Sequence, residues 1–432
     1  MNIPTLPGAI AERAPPRDPA TVATLARPDY RLADSLAATR GTVFLTGVQA
    51  LVRLPLMQAA LDRARGLETA GFVSGYRGSP LGGYDLALWK AQALLDTAHI
   101  EFLPAINEEL AGTAVLGSQQ VETDAERTVA GVFALWYGKG PGTDRAGDAL
   151  KHGNAYGASP HGGVLVVAGD DHGCVSSSMP HQCDVAMQSW SMPLLHPGNV
   201  AEYLEFGLYG WALSRFSGNW VGFKAISEIV ESGMTVDLDA VRTDFPPPPD
   251  FAPPPGGLHY RWPDLPSLVI EQRLAAKLDA VRAFAAANSI DRAICAAPHA
   301  DLGIVTCGKA HFDFLEVLRR LGLTLTELQG IGAEVGIPPD RIAAAANAVG
   351  TRAVPARKPK MLLGTPRSVS RIVPIERSLN DAEWDRLVAD LRHRFVTRPQ
   401  ASAAVRHIPG SARWCDRSGR NHSRRRWEYL RH

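Results

Sequence analysis

The chain of 432 residues has few cysteines and no long apolar run. Five scattered cysteines, with no Cys-x-x-Cys pair, fit free thiols in a reducing cytoplasm better than a disulfide framework. They also exclude a ferredoxin-type cluster or a zinc ribbon built from this chain alone. No apolar run of roughly 18 residues is present, so we expect no transmembrane helix. The N-terminus shows no basic segment before an apolar core, so we expect no signal peptide. We therefore predict a cytoplasmic protein.

Several common catalytic motifs are absent as well. The sequence contains no Walker A motif, no G-x-S-x-G elbow and no Rossmann G-x-G-x-x-G that opens a helix after a strand. With 45% hydrophobic and 21% charged residues, the composition is that of a globular protein rather than a disordered or collagen-like one. Charge is distributed unevenly, because residues 351–432 carry 19 Lys and Arg against 7 Asp and Glu. One alternative is therefore an α/β protein whose arginine-rich tail binds nucleic acid.

Strand-like and helical segments alternate along the chain. The run GGVLVVAGDD is continuously apolar and ends in Gly and Asp, which is typical of a buried parallel strand with a loop at its carboxyl end. This alternation predicts a doubly wound α/β fold with a mostly parallel sheet. Seven prolines at Phe245 to Gly257 predict an extended linker without regular structure. The segment beginning at Asp301 predicts a buried strand, a glycine turn and a helix, as at the start of a second, partial α/β unit.

We divide the chain on this basis into five parts. These are an arm at 1–39, a main α/β domain at 40–240, a proline-rich linker at 241–267, a partial second unit at 268–350 and a basic tail at 351–432.

Four polar loops lie where strands are expected to end, and such loops line the ligand crevice of parallel sheets. They are GYRGSPLGGYD, INEELAGTAVLGSQQVE, ALKHGNAYG and AGDDHGCVSSSMPHQCD. Each has a plain structural explanation too: Asn107 can cap a helix, and Glu108 and Glu109 in its first turn suit the helix dipole. We expect Ser79, Glu108, Asn154 and Asp170 to approach one another at this edge. His172, Cys174, His181 and Cys183 match no structural zinc motif, and we predict no metal site.

Four long segments resemble the N-terminal part of the indolepyruvate:ferredoxin oxidoreductases, in their long fused bacterial form. The similarity runs from about Gly41 to Gly233 and resumes at DLGIVTCGKAHFDFLEVLRRLGL. The four segments are SGYRGSPLGGYD, FLPAINEELAGTAVLGSQQVE, FALWYGKGPGTDRAGDALKHGNAYGASPHGGVLVVAGDDHGCVSSSMPHQ and GLYGWALSRFSGNWVGFKAISEIVESG.

The resemblance implies a thiamine-diphosphate-binding fold, with the main domain as its pyrimidine-binding domain and the segment from Asp301 as the start of a transketolase C-terminal-like unit. In such enzymes a buried glutamate hydrogen-bonds N1′ of the cofactor's aminopyrimidine, and the Asn107-Glu108 pair matches that position. Glu108 is therefore the expected catalytic residue. Ser79 and Asn154 are expected beside Glu108 in cofactor binding. Further cleft residues are expected at Arg77, Lys151, His152 and Asp170.

The whole enzyme would decarboxylate an aryl 2-oxoacid, pass electrons to ferredoxin and form an acyl-CoA. The sequence departs from the family by lacking the Gly-Asp-Gly that holds Mg²⁺ and the cysteines that bind 4Fe-4S clusters. We therefore expect a truncated or frameshifted copy that binds only the pyrimidine half of thiamine diphosphate and needs a diphosphate-binding domain or chain. We expect a homo-oligomer or a complex and no membrane association. An inactive fragment and an oxidoreductase for another 2-oxoacid remain alternatives.

Overall fold

A computed structural model describes residues 29–175, 177–261, 264, 267–292 and 304–320, together with short strands at 361–362, 365–366, 404–408 and 411–415. The predictions for most of the N-terminal arm, for the strand start at Asp301 and for the remainder of the second unit and basic tail lie outside the described residues. Within the described part, no helix is both long enough and apolar enough to span a bilayer.

A six-stranded sheet forms the centre of the molecule, and all of its pairings are parallel. The strand order is β3-β2-β4-β5-β7-β6. The strands are β2 (Thr69–Gly75), β3 (Ile100–Phe102), β4 (Gly131–Lys139), β5 (Val164–Asp170), β6 (Leu194–Leu195) and β7 (Val221–Ile226). The predicted doubly wound α/β fold is confirmed, and every described pairing in this sheet is parallel rather than only most of them.

Helices cover both faces of the sheet, because successive side chains of a strand point to opposite sides. In β4, Phe133 and Leu135 enter one core, whereas Ala134 and Trp136 enter the other. The helices in chain order are α1 (Asp34–Ala37), α2 (Gly47–Ala64), α3 (Tyr84–Lys90), α4 (Gln92–Thr97), α5 (Glu108–Ser118), α6 (Gly140–Arg145), α7 (Gly147–Tyr156), α8 (Asp184–Ser189), α9 (Val200–Ser217), α10 (Ser227–Val230), α11 (Val269–Ala287) and α12 (Lys309–Arg320).

The two cores divide these helices between the faces of the sheet. The larger core contains side chains of α2, α3 and α9, and the smaller one contains side chains of α5, α7 and α8. A separate antiparallel ribbon joins β1 (Thr42–Thr46) to β8 (Gly233–Asp237) and packs against α2 and α9. The strands β9 (Met361–Leu362), β10 (Thr365–Pro366), β11 (Ala404–Ile408) and β12 (Ser411–Cys415) form two further hairpin pairings.

The proline-rich segment from Phe245 to Gly257 contains no helix or strand, as its prolines predict. The helix that follows it, α11, packs back onto α9 and α7 of the main domain. Phe284 of α11 is buried in the larger core beside Tyr209. The domain boundaries at 240 and 268 stay predictions, and the contacts of α11 place this helix against the first unit.

The structure shows no strand at residues 304–307, just before α12, where the sequence predicts one. Val305 in this segment is 87% exposed. A strand requires a neighbour that satisfies its backbone groups, and none of the described strands pairs with this segment. The helix predicted after the glycine turn is present as α12.

Candidate functional site

The connections of the sheet reverse direction between β2 and β4. The chain leaves β2 toward β3 through α3 and α4, which pack on the larger core, and leaves β4 toward β5 through α6 and α7 on the opposite face. In open α/β sheets, loops that diverge in this way form the ligand crevice at the carboxyl ends of the strands, so we place the candidate site at this switch point.

Glu108 lies at this edge as the first residue of α5. Asn107 caps the helix, its side chain accepting a hydrogen bond of 2.8 Å from the backbone N–H of Leu110. The Glu108 carbonyl oxygen accepts a hydrogen bond of 2.9 Å from the indole of Trp136 in β4, which fixes the start of the helix against the sheet. Glu108 is only 3% exposed.

The carboxylate of Glu108 packs against two glycines that follow or end β4. A Cβ atom on Gly142 would come within 2.4 Å of Oε1, and one on Gly138 would come within 3.3 Å of Cγ. These positions therefore leave room for the acid only because they carry no side chain. Among the described residues, the Glu108 carboxylate has no hydrogen bond or ion pair. A carboxylate that is largely buried and can still accept a hydrogen bond is a candidate group for binding a ligand.

The loop after β2 closes over the ends of β4 and β5. A Cβ on Gly78 would meet the Lys139 side chain at 2.7 Å, and one on Gly169 would meet Leu81 at 3.0 Å. Ser79 is half-buried within this loop, and the Ser79-Pro80 peptide bond is cis. Arg77 in the same loop is exposed. The structure thus brings the Ser79 loop to the edge that carries Glu108.

Asp170 ends β5 and is fully buried among donors. Its Oδ2 accepts a hydrogen bond of 2.9 Å from the backbone N–H of Cys183, and its Oδ1 lies 3.2 Å from Nδ1 of His181. Lys224 of β7 lies 3.5 Å from Oδ2 and 2.5 Å from Asp184. Burial raises the pKa of the Cys183 thiol, and the Asp170 carboxylate adds to that effect, so Cys183 is held as a thiol.

Sequence analysis missed Lys224 and gave His181 no role at this edge. A lysine inside the otherwise apolar run VGFKAI was the signal for Lys224, since a fully buried cation needs a charged partner. His196 lies near this lysine. Burial lowers the pKa of His196 to about 4, and the charge of Lys224 acts in the same direction. His196 is therefore neutral at pH 7.

Asn154 does not join the other expected site residues. It lies near the C-terminal end of α7, where its Oδ1 accepts hydrogen bonds from the Asn219 side chain and the backbone N–H of Trp220. Its Nδ2 donates to the carbonyls of Trp190 and Ser191. Asn219 and Trp220 precede β7, so this cluster lies at the amino ends of the strands, opposite Asp170. The expected approach to Glu108 is wrong, because a crossover helix that starts at one edge ends at the other. Cofactor binding by Asn154 stays a prediction that these bonds do not support.

Lys151 and His152 are both exposed on α7. The His152 ring lies 3.2 Å from Asp148 one turn earlier and packs edge-on against Tyr156. No described contact links either side chain to Glu108 or Asp170, so their place in the cleft stays a prediction. The polar loop after β5 also forms no group of three metal-ligating side chains among the described residues. There the Cys174 thiol donates to the carbonyl of Ser177 at 2.8 Å.

Comparisons with known proteins give distant similarities. No family model matches the chain. The indolepyruvate oxidoreductase subunit IorA of Methanothermobacter marburgensis is 26% identical over 306 residues, which are 69% of this chain and 44% of that protein. IorA of Methanothermobacter thermautotrophicus is 25% identical over 301 residues, which are again 69% of this chain and 44% of that protein. The chain therefore spans less than half the length of the curated relatives it matches.

Among solved structures, the 2-oxoglutarate:ferredoxin oxidoreductase of Magnetococcus marinus aligns with a TM-score of 0.44 and 16% identity, over 66% of this chain and 52% of that one. A thiamine-diphosphate-dependent 4-hydroxybenzoylformate decarboxylase of Rhodococcus jostii aligns with a TM-score of 0.29 and 13% identity, over 42% of this chain and 30% of that one.

Proposed function

We propose that this chain is the pyrimidine-binding part of a thiamine-diphosphate-dependent 2-oxoacid:ferredoxin oxidoreductase. The observation that carries the proposal is the buried carboxylate of Glu108 at the switch point of the sheet, to which no described side chain or backbone group donates a hydrogen bond. The similarity to two indolepyruvate oxidoreductase subunits supports the reaction class and favours an aryl 2-oxoacid such as indolepyruvate as substrate. Their match extends over 69% of the chain, so it is not limited to one motif.

The residues around Glu108 fit an aminopyrimidine. A buried carboxylate requires a donor, and a ring nitrogen that carries a proton supplies one in a charge-assisted hydrogen bond. Gly138 and Gly142 make room for the acid beside β4, and the Ser79 loop lies over the neighbouring strand ends. Bound thiamine diphosphate supplies the electron sink for decarboxylation. The role of Glu108 is to accept the hydrogen bond from the protonated ring nitrogen and so to hold that proton at the pyrimidine ring. Ser79 and Asp170 belong to the walls of the same crevice.

The complete reaction needs groups beyond this chain. No Gly-Asp-Gly is present to hold Mg²⁺ and the diphosphate, and no clustered cysteines are present for 4Fe-4S centres. We infer that a diphosphate-binding domain or chain completes the site, and that ferredoxin and coenzyme A are partners of the assembled enzyme only. We further propose a cytoplasmic complex or homo-oligomer.

Ligand-observed NMR with the full chain tests this proposal. The probes are thiamine, and thiamine diphosphate with Mg²⁺, each at millimolar concentration. If only the pyrimidine half of the site is present, both probes bind with weak affinities that agree within about threefold, since the diphosphate finds no anchor. Glu108→Gln removes a charge-assisted hydrogen bond worth about 1.5–3 kcal/mol, so binding of both probes weakens roughly ten- to a hundredfold.

Glu109→Gln is the matched control, because Glu109 is the next residue of α5 and is exposed. It loses the same charge in the same helical turn and should leave binding unchanged. Absence of thiamine binding to the wild-type chain, or equal binding by the Glu108→Gln variant, overturns the proposal. Much tighter binding of the diphosphate form, or decarboxylation of a 2-oxoacid by the isolated chain, overturns the inference that the site is only half present.

A further inference from the structure

His181 bridges two aspartates at the edge of the sheet that carries Glu108. Its Nδ1 lies 3.2 Å from Oδ1 of Asp170, and its Nε2 lies 2.9 Å from Oδ2 of Asp144. The side chain of His181 is 14% exposed, that of Asp170 is fully buried and that of Asp144 is 62% exposed. The bridge therefore runs from the interior of the sheet to the surface.

The imidazole of His181 contacts a carboxyl group at each ring nitrogen, so the two aspartates hold the ring from both sides. The Asp170 carboxylate is further compensated by Lys224 at 3.5 Å, and His172 lies 4.0 Å from it. The backbone N–H of Cys183 donates to the same carboxylate.

The bridge fixes the short helix that contacts Glu108. Helix α6 has six residues, and three of its positions form these contacts. Gly140 packs against the His181 ring so closely that a Cβ would lie 2.0 Å from Nδ1, Asp144 binds Nε2, and Gly142 contacts the Glu108 carboxylate. No side chain caps the start of α6. A helix of this length has little stability of its own, so its position depends on such contacts.

We propose that His181 is a positioning residue that holds α6 in the place where Gly142 packs against the Glu108 carboxylate. It acts through Asp144 and Gly140 and does not touch the ligand. The effect on cofactor binding rests on the proposed function of Glu108. The bridge itself, and its role in positioning α6, do not depend on that function.

Two variants and a matched control test the proposal. Asp144→Ala removes the exposed end of the bridge, and His181→Gln leaves a side chain that donates from a single nitrogen. Asp148→Ala is the control, because Asp148 is an exposed aspartate on the neighbouring helix α7 that lies 3.2 Å from a histidine, His152. Ring-nitrogen NMR should show the Nε2 signal of His181, identified by its loss in His181→Gln, shift in Asp144→Ala and stay unchanged in Asp148→Ala.

The backbone amide of Gly142 reports the position of α6 without any ligand. The chemical shift of this amide should change in Asp144→Ala and His181→Gln and stay the same in Asp148→Ala. Thiamine binding should weaken about five- to tenfold in the first two variants only, less than in Glu108→Gln, because the effect is indirect and acts through the position of α6.

A His181 Nε2 signal that Asp144→Ala leaves unchanged overturns the proposal, and so does a Gly142 amide signal that neither variant shifts. If the wild-type chain does not bind thiamine while the ring signal and the Gly142 shifts appear as expected, the proposed function fails and the bridge stands.

Discussion

Replacement of Lys277 by methionine should destabilise the main domain strongly. Lys277 of α11 is fully buried, and its Nζ donates to the carbonyl oxygens of Asn154 and Ala155 at 2.9 and 3.1 Å. These carbonyls belong to the last turn of α7, whose C-terminal C=O groups have no partner within the helix. Methionine fills a similar volume and donates nothing.

The magnitude follows from the two carbonyls. Each buried acceptor left without a donor costs about 1–3 kcal/mol, and removal of the buried amine returns part of that sum. We expect the free energy of unfolding to fall by about 2–4 kcal/mol. Arg282→Met is the control, because Arg282 lies on the same helix, is 71% exposed and pairs with the exposed Asp279. An exposed substitution of this kind should cost less than about 0.5 kcal/mol.

Urea unfolding followed by tryptophan fluorescence measures both variants, since Trp211 and Trp220 are buried in this domain. Equal midpoints for Lys277→Met and Arg282→Met would refute the reasoning. The pH dependence gives a second check. Burial, with the nearby Arg273 charge, lowers the pKa of Lys277 well below 10.5. Between the lowered pKa of the folded state and 10.5, the unfolded chain therefore binds more protons than the folded chain. The stability of the wild type relative to Lys277→Met should rise as the pH increases through this window toward 10.5.

Three further outcomes are expected. Gly142→Ala should abolish thiamine binding by the chain, because the new Cβ meets the Glu108 carboxylate at 2.4 Å, whereas Gly83→Ala, whose Cβ enters open space, should bind normally in the same NMR titration. Since burial lowers the pKa of His196 from 6.5 to about 4, the unfolded state binds more protons between these values, and urea midpoints should fall as the pH drops from 6.5 to 4. Gly117→Ala in α5 meets nothing within 4 Å and should raise the unfolding free energy by about 0.5–1 kcal/mol.

The sequence determined the elements and their order because they depend on local pattern. The apolar run of β5, the alternation of strands with helices and the prolines after Phe245 each act over a few neighbouring residues. The same applies to the capping of α5 by Asn107, which depends on a side chain three residues from its donor. The parallel sheet and the placement of Glu108 and Asp170 at its carboxyl edge follow from that order.

The tertiary structure decided which polar residues meet. Asn154 and Asp170 flank the same connection in sequence, yet α7 and β5 carry them to opposite edges of the sheet. Lys224 reaches Asp170 from the neighbouring strand β7, and Lys277 reaches α7 across more than 120 intervening residues. Such pairings depend on strand order and on where α11 packs, and no local pattern encodes them. The close packing around Glu108 likewise depends on β4 and α6, which bring two glycines against a helix start that is distant in sequence.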